Sequence, residues 1–300
     1  MPDAIAHYKI LGTLGAGGLG EAYRARDTNL GRTVAVKVLP ARITRDPARL
    51  EALLETARRV MDLSHPNIAM LFEIGQEGDQ RFLVFEFVQG QPLASLINGR
   101  ALHVRRALEF GINLADALAD AHGVDIVHGD VRPGTIMITP KDRAKFMNFG
   151  LSRFTAGGEE RVTSATAYVA PEELAGHTGD SRSDIYSLGA VMFEMLTGRQ
   201  RARGLVLTGL NATVPPELEQ IIGRMLASNI EHRAQSAATV AAEFRSVAAI
   251  LDTRTEAAEA AEAAEPPRRR RDERRSGVGA IVIVLLVLAG AIAAWWMRAP

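Results

Sequence analysis

A glycine-rich stretch, with a lysine behind it, has the residue types and spacing to bind phosphate. Gly15, Gly17 and Gly20 follow the pattern GxGxxG, and glycines let backbone amides approach phosphate oxygens closely. Lys37 ends the run Val-Ala-Val-Lys, which would place an ammonium group near the same phosphates. A lysine on a strand by itself more often only covers its own sheet, so it is the glycine loop before Lys37 that favours a polyphosphate site.

The elements around this loop decide which kind of site it is. Residues 8–14 form a predicted strand, 15–20 a glycine-rich turn and 21–26 a return strand. A third predicted strand, 33–39, follows in place of the helix that a dinucleotide-binding fold requires after its glycines. The pattern therefore disfavours a Rossmann fold and predicts a loop that belongs to a β-hairpin.

Further short motifs follow Lys37 in a fixed order along the chain. They are His65–Ile68, Phe82–Val88, Val127–Pro133, Ala144–Gly150, Ala170–Glu172 and Asp184–Gly189. With the loop and Lys37, they resemble the bacterial eukaryotic-like Ser/Thr protein kinases, and the resemblance extends to about Leu251. It implies an α+β, two-lobed kinase-like domain over 1–251, with a β-rich N-lobe (about 1–88), a helical C-lobe (about 89–251) and a nucleotide between them.

The same resemblance implies which residues bind ATP. The loop residues Leu14, Gly15, Ala16, Gly17, Gly18, Leu19 and Gly20 would cover the nucleotide. Ala35 would pack against the adenine, and the backbone between Glu86 and Val88 would bind its edge. Lys37 would bind the α and β phosphates.

Resemblance also assigns the catalytic and structural acids. Asp130 would accept the proton of the substrate hydroxyl and, with Lys37, form the catalytic pair. Glu172 and Arg233 would form an ion pair in the large lobe. Asp184 would brace the backbone of the catalytic loop, which is the motif Val127–Pro133.

The metal-binding positions depart from the family pattern. Kinases hold magnesium with the aspartate of Asp-Phe-Gly and the asparagine of the catalytic loop. Here Asn148 replaces that aspartate and Thr135 replaces that asparagine. A neutral amide and a hydroxyl are poorer ligands for a hard cation than a carboxylate. The sequence thus predicts ATP as the cofactor, makes magnesium doubtful and indicates very slow phosphotransfer.

Other positions also differ from the family pattern. Alignment on His65 puts Thr56 where the helix of the small lobe should present a glutamate to Lys37, and Glu55 lies about 100° round that helix unless the helix shifts locally. Gly129 replaces the arginine of His-Arg-Asp, and Arg132 replaces a lysine with a group of different geometry.

Composition excludes several classes of function. The 300-residue chain has no cysteine, so it has neither a thiol nucleophile nor a cysteine-bound metal. Lys plus Arg and Asp plus Glu are both 35, and this balance gives no indication of nucleic acid as a partner.

The last part of the chain has the pattern of a membrane anchor. Residues 277–297 are uncharged and long enough to cross a bilayer. They follow an Ala/Glu-rich and then Arg-rich linker, 252–276, and precede a short outer tail, 298–300. The arginines before the span predict a single-pass protein of the cell membrane with a cytoplasmic N-terminal domain, and they could also contact anionic lipid. Small residues spaced as Ala289 and Ala293 could allow a homodimer, although alanine-rich spans contain such pairs by chance.

Three hypotheses remain open on these residues. The leading one is a membrane-anchored pseudokinase that binds ATP and regulates or scaffolds a protein partner, with weak or no phosphotransfer. The alternative is an active Ser/Thr kinase with atypical metal use, phosphorylating protein substrates, because the glycine loop, Lys37 and Asp130 are all present. The third is a kinase-like fold that has lost nucleotide binding, which the intact loop disfavours.

Overall fold

The computed structural model describes residues 2–154, 166–202 and 206–264. The predicted span 277–297 and the arginine-rich part of the linker lie outside these residues. Within the described part of the chain, no helix is both long and apolar enough to cross a membrane. The chain divides into two compact units, Met1–Asp252 and Thr253–Pro300, and every kinase-like motif lies in the first.

The N-terminal part of this first unit is built on an antiparallel sheet. Its strands are β1 (Ala4–Ile5), β2 (Tyr8–Gly17), β3 (Gly20–Asp27), β4 (Thr33–Val38), β5 (Leu71–Glu77) and β6 (Gln80–Glu86). Their order across the sheet is β1-β2-β3-β4-β6-β5. The sequence predicted that β2 ends at Leu14, but pairing continues to Gly17 and resumes at Gly20. That prediction was wrong because glycine backbones still form ladder hydrogen bonds.

Alternation of side chains gives this sheet a core on each face. Successive residues of a strand point to opposite faces. Val34 and Val36 belong to a small cluster on one face, whereas Ala35 between them belongs to the main core. On β6, Val84 and Phe85 divide in the same way. Ala35 is thereby directed to the side of the sheet that faces the rest of the domain.

Helices form most of the remaining structure. They are α1 (Ala41–Thr44), α2 (Pro47–Met61), α3 (Leu93–Ile97), α4 (Val104–His122), α5 (Pro171–Leu174), α6 (Ser181–Thr197), α7 (Leu207–Leu210), α8 (Pro216–Met225) and α9 (Ala237–Ala264). Short 3-10 turns occupy Pro133–Thr135, Ser152–Phe154 and Ile230–His232. Helix α9 is continuous through residue 251, where the sequence predicted the end of the domain.

Two helices have clear local reasons to begin where they do. The carboxylate of Asp46 accepts the amide of Arg49, and Pro47 opens α2, where its missing N–H costs no hydrogen bond. Asp180 caps α6 by accepting the amide of Arg182. Helix α6 is buried along nearly its whole length, as expected for a helix in the middle of the large lobe.

A small second sheet carries the segments that form the site. Its strands are β7 (Gln91–Pro92), β8 (Ile136–Ile138) and β9 (Ala144–Phe146), in the order β7-β8-β9. Thr135 comes directly before β8, and Asn148 lies just beyond β9. Because β8 and β9 pair antiparallel, Ile136 opposite Phe146, these two positions lie at the same end of the hairpin.

Candidate functional site

The glycine loop is the tight end of the β2–β3 hairpin. Gly17 pairs with Gly20, and only Gly18 and Leu19 form the turn. Gly20 has a φ of +103°, and a Cβ built there would lie 1.9 Å from the carbonyl oxygen of Val38. Glycine is thus required at Gly20 both by its backbone conformation and by the close approach of β4.

The predicted ATP-covering residues of this loop differ in exposure. Leu14, Gly15, Ala16 and Gly17 are exposed, and Gly18 and Gly20 are half-buried. Leu19 is instead buried in the main core, where its side chain anchors the turn. The Gly18 carbonyl accepts a hydrogen bond of 2.5 Å from Arg42 Nη2. No motif in the sequence pointed to Arg42, which is five residues beyond Lys37.

The predicted adenine-binding residues lie along adjoining strands. Ala35 is buried and pairs with Phe85, while its neighbour Val34 pairs with Glu86. Val88 follows two residues later and is buried. The register of β4 and β6 therefore places Ala35 next to the Glu86–Val88 segment, so that one adenine ring could contact both.

Lys37 has an amide as its partner. On β4 it pairs with Ala22 and Leu83, and its Nζ donates a hydrogen bond to Asn148 Oδ1. The same ammonium lies 5.0 Å from the centre of the Phe85 ring, a cation–π distance. Burial lowers the pKa of Lys37 to about 8.

Helix α2 does not supply a carboxylate to Lys37. Its buried residues are Leu53, Ala57 and Val60, and Thr56 lies on the same face at helical spacing. Thr56 is half-buried, and its hydroxyl donates to the carbonyl of Ala52 at 2.8 Å. Glu55 is exposed, and no local shift of the helix brings it to Lys37.

The catalytic loop is held from beneath by α6. Asp184 is buried, and its two carboxylate oxygens accept the backbone amides of His128 and Gly129, both at 2.8 Å. The predicted bracing role of Asp184 is present in the structure. Gly129 adopts a φ of +73°, which a glycine accommodates without strain.

Asp130, the predicted proton acceptor, pairs with the neighbouring arginine. Its Oδ1 lies 2.9 Å from Arg132 Nε, and the Asp130 side chain is 18% exposed. The Asp130 backbone amide donates to His128 Nδ1 at 3.1 Å. The carboxylate is therefore positioned and accessible, but in this structure it forms an ion pair with Arg132.

Thr135 and Asn148, at the two metal positions, both form hydrogen bonds inside the protein. The Thr135 hydroxyl donates to the backbone carbonyls of Asp130, at 2.7 Å, and Arg132, at 2.9 Å. Its oxygen also accepts a hydrogen bond from the Arg132 amide at 3.3 Å. Asn148 has a φ of +59°, a left-handed conformation that asparagine tolerates well. Its Oδ1 accepts the ammonium of Lys37.

The predicted ion pair of the large lobe is also present. Arg233 donates through Nη1 and Nη2 to the two oxygens of Glu172 at 2.7 and 2.9 Å, and its side chain is buried. Burial alone would raise the pKa of Glu172, but hydrogen bonds from Arg233 and Ser183 outweigh it and lower that pKa to about 2. This pair joins α5 to the segment before α9.

Comparison with known proteins identifies the family. The model of the protein kinase domain matches residues 8–245. The chain belongs to the protein kinase family. Among its relatives are the Ser/Thr-protein kinase PknB of Mycolicibacterium smegmatis, 34% identical over 79% of this chain, and PrkC of Bacillus subtilis, 33% identical over 79%. The chain spans only 42% and 40% of the length of those two relatives.

Solved structures of kinase domains share the fold. A crystal structure of a double mutant of the Mycobacterium tuberculosis PknI kinase domain matches with a TM-score of 0.69. It is 24% identical, covering 82% of this chain and 98% of that one. The predicted two-lobed fold, with a β-rich N-lobe and a helical C-lobe, is confirmed. The protein kinase family uses ATP, normally with magnesium.

The residues of this kinase domain do not fit a magnesium site. Asn148 and Thr135 stand at the two metal positions, and their oxygens already bind Lys37 and the catalytic-loop backbone. Within the described residues, no group of three or more His, Cys, Asp or Glu side chains could hold a metal ion. Asp130, paired with Arg132, remains the carboxylate of the catalytic loop that a cation near the phosphates could meet.

A further ion pair that the sequence did not predict lies near the adenine-binding segment. Lys145 Nζ lies 2.5 and 2.6 Å from the carboxylate oxygens of Glu86. The pair connects the hinge, which is the segment Glu86–Val88 between the two lobes, to β9, and β9 leads directly to Asn148. The family resemblance assigned Glu86 only a backbone role, and the 59 residues between the partners explain why no local pattern revealed the contact.

Proposed function

We propose that this kinase domain is a pseudokinase, an ATP-binding regulator or scaffold with weak or no phosphotransfer. One observation supports this most strongly: the two side chains at the metal positions, Asn148 and Thr135, are neutral and engaged in internal hydrogen bonds. Phosphoryl transfer depends on positioning and on neutralising developing charge, which in kinases the metal ions supply. Without these two metal ligands, the domain could position a nucleotide but would lack the metal ions that neutralise the charge developing during transfer.

Nucleotide binding remains part of the proposal because its elements are assembled. The glycine hairpin, Ala35 and the hinge segment lie on adjoining strands, and Lys37 lies beside them on β4. Lys37 has no carboxylate partner in the described structure. A nucleotide phosphate would supply the counter-charge for the Lys37 ammonium, and this ion pair would favour nucleotide binding.

An active Ser/Thr kinase is the second candidate. It is favoured by Asp130, whose backbone is braced through Asp184 and whose carboxylate is accessible. A kinase of this kind would transfer the γ-phosphate of ATP to protein hydroxyls while relying on Asp130, Lys37 and Arg132 for charge.

A phosphotransfer assay separates the two candidates. The full chain is incubated with radiolabelled ATP, magnesium and a mixture of Ser/Thr-containing protein substrates, beside Asp130→Asn. The pseudokinase proposal expects the wild-type signal to equal that of Asp130→Asn. It also expects Asn148→Asp combined with Thr135→Asn to raise transfer above both. Robust wild-type transfer that Asp130→Asn abolishes would instead establish the active kinase.

Membrane anchoring and partners complete the proposal. The uncharged residues 277–297 and the arginines before them support a single-pass anchor with the kinase domain in the cytoplasm. Partners of the proposed regulator are a protein, membrane lipid and a second copy through the span. Membrane fractionation of the full chain, with a matched chain lacking 277–297, tests the anchor. Recovery of both chains in the soluble fraction would refute it.

A further inference from the structure

The charges around Lys37 bear on which form of a nucleotide this site accepts. We propose that the site binds the polyphosphate of ATP free of magnesium, in preference to its magnesium complex. The inference rests on the proposed nucleotide binding and extends it by naming the charge form of the ligand. It reverses the metal dependence that the family normally shows.

The side chains that a metal would need are already engaged. Thr135 has one hydroxyl proton, directed at backbone carbonyls, and its oxygen also accepts the Arg132 amide. Asn148 Oδ1 accepts from Lys37. A magnesium ion carried in on the phosphates would meet a protonated lysine beside the one amide oxygen it could use. Magnesium also demands near-ideal octahedral geometry and gives up water reluctantly.

The three described charged groups at this site carry a net positive charge. Among the described residues Lys37 has no carboxylate partner, and the Asp130 carboxylate is matched by the Arg132 guanidinium. These three groups together carry one positive charge. In a kinase with both metal ligands and the helix glutamate, the same region is acidic and requires the cation.

The two forms of the ligand differ in the charge they bring to this site. Magnesium would neutralise two of the negative charges of the triphosphate. In a site with excess positive charge and no free ligand at either metal position, this neutralisation weakens the attraction of the phosphates, and no new contact to the metal compensates for it. We expect the dissociation constant of ATP to be about tenfold lower without magnesium than with it, the scale of one such lost interaction in a partly screened site.

The test is a calorimetric titration of the full chain with ATP at constant ionic strength, once in EDTA and once in excess magnesium. Tighter binding in EDTA is the expected result. Equal or tighter binding in magnesium would overturn this inference while leaving the proposed nucleotide binding intact. Heat of binding in neither condition would overturn the proposed function, and this inference with it.

Matched variants at one position identify the cause. Asn148→Asp adds the carboxylate that could pair with Lys37 and bind a metal, so magnesium should now tighten ATP binding. Asn148→Ala removes the amide without adding charge, and it should keep the preference for metal-free ATP. Thermal melting of each variant verifies that it folds. If Asn148→Asp folds and still prefers metal-free ATP, the role assigned to Asn148 is wrong.

Discussion

Replacing Lys37 by methionine should stabilise the folded kinase domain while abolishing ATP binding. Lys37 is partly buried, and its ammonium contacts the neutral amide of Asn148 and the face of Phe85. A buried charge without an opposite charge is costly. Methionine keeps an unbranched stem of similar length and removes that charge.

The lowered pKa of Lys37 sets the size of this stabilisation. Burial lowers that pKa from 10.5 to about 8, a difference that corresponds to about 3 kcal/mol at neutral pH. The variant also loses the hydrogen bond to Asn148, worth about 1 kcal/mol. The Lys37→Met domain should therefore be more stable by about 2 kcal/mol at pH 7.

The stabilisation should depend on pH because the folded and unfolded chains release the Lys37 proton at different pH values. Below pH 8, Lys37 is charged in both folded and unfolded chains, so the folded state carries the full cost of burying the charge. Between pH 8 and 10.5 the unfolded state holds the proton that the folded state has released, so wild-type stability rises with pH. The advantage of Lys37→Met should thus be greatest below pH 8 and shrink above it.

Urea unfolding of the full chain at pH 7 and about pH 9.5, inside the window between the two pKa values, measures both effects. Lys145→Met is the matched control, because the Lys145 ammonium has an ion-pair partner, Glu86, at 2.5 Å. That variant should lose stability, since it leaves the partly buried carboxylate without its partner. A Lys37→Met domain that is less stable than wild type at pH 7, or an advantage that does not change with pH, would refute the reasoning.

Three further predictions concern the residues that hold the site in place. Glu172→Gln should destabilise the domain by about 3 kcal/mol, because the buried Arg233 guanidinium loses its counter-charge. Chemical unfolding at pH 7 measures this loss of stability. The loss should shrink as the pH falls from 4.5 toward 2, where wild-type Glu172 takes up its proton. Gly20→Ala should destabilise the domain by more than about 2 kcal/mol, since its Cβ would overlap the Val38 carbonyl. Gly15→Ala, with no atom within 4 Å of its Cβ, should cost about 1 kcal/mol. Thermal melting compares the two variants, and equal losses of stability would contradict the close approach of β4 to Gly20. Asp184→Asn should cost about 2 kcal/mol and speed amide exchange in the catalytic loop, since an amide has one acceptor oxygen for two backbone donors; unchanged exchange would count against the bracing role.

The sequence was most informative where function depends on local pattern. The glycine spacing and the strand after it predicted a hairpin loop, and the order of short motifs predicted the kinase fold. It was less reliable for the extent of the loop. Glycine lowers strand propensity, so the predicted strand ended at Leu14, although the backbone continues to pair as far as Gly17.

Long-range partners could not be predicted. Lys37 and Asn148 are 111 residues apart, and their contact depends on how the two sheets meet. The choice between Glu55 and Thr56 required the rotation of α2, which the buried face through Leu53 and Val60 fixes only in the folded chain. Sequence spacing alone therefore gives neither the Lys37–Asn148 contact nor the side of α2 that faces Lys37.

The substitutions in the catalytic region are compatible with one another and with the fold. Gly129 adopts a positive φ that an arginine would hold under strain, and Asn148 occupies a left-handed conformation suited to asparagine. Thr135 retains backbone contacts of the catalytic loop through its hydroxyl. Meanwhile Asp184 and the Glu172–Arg233 pair, which stabilise the large lobe, are intact. Loss of fold would be expected to disturb both sets of residues, whereas here the changes lie in the catalytic region and at the positions that the family uses for metal. The proposed pseudokinase requires this separation, because it needs a folded domain in which only the groups for metal-assisted transfer have changed.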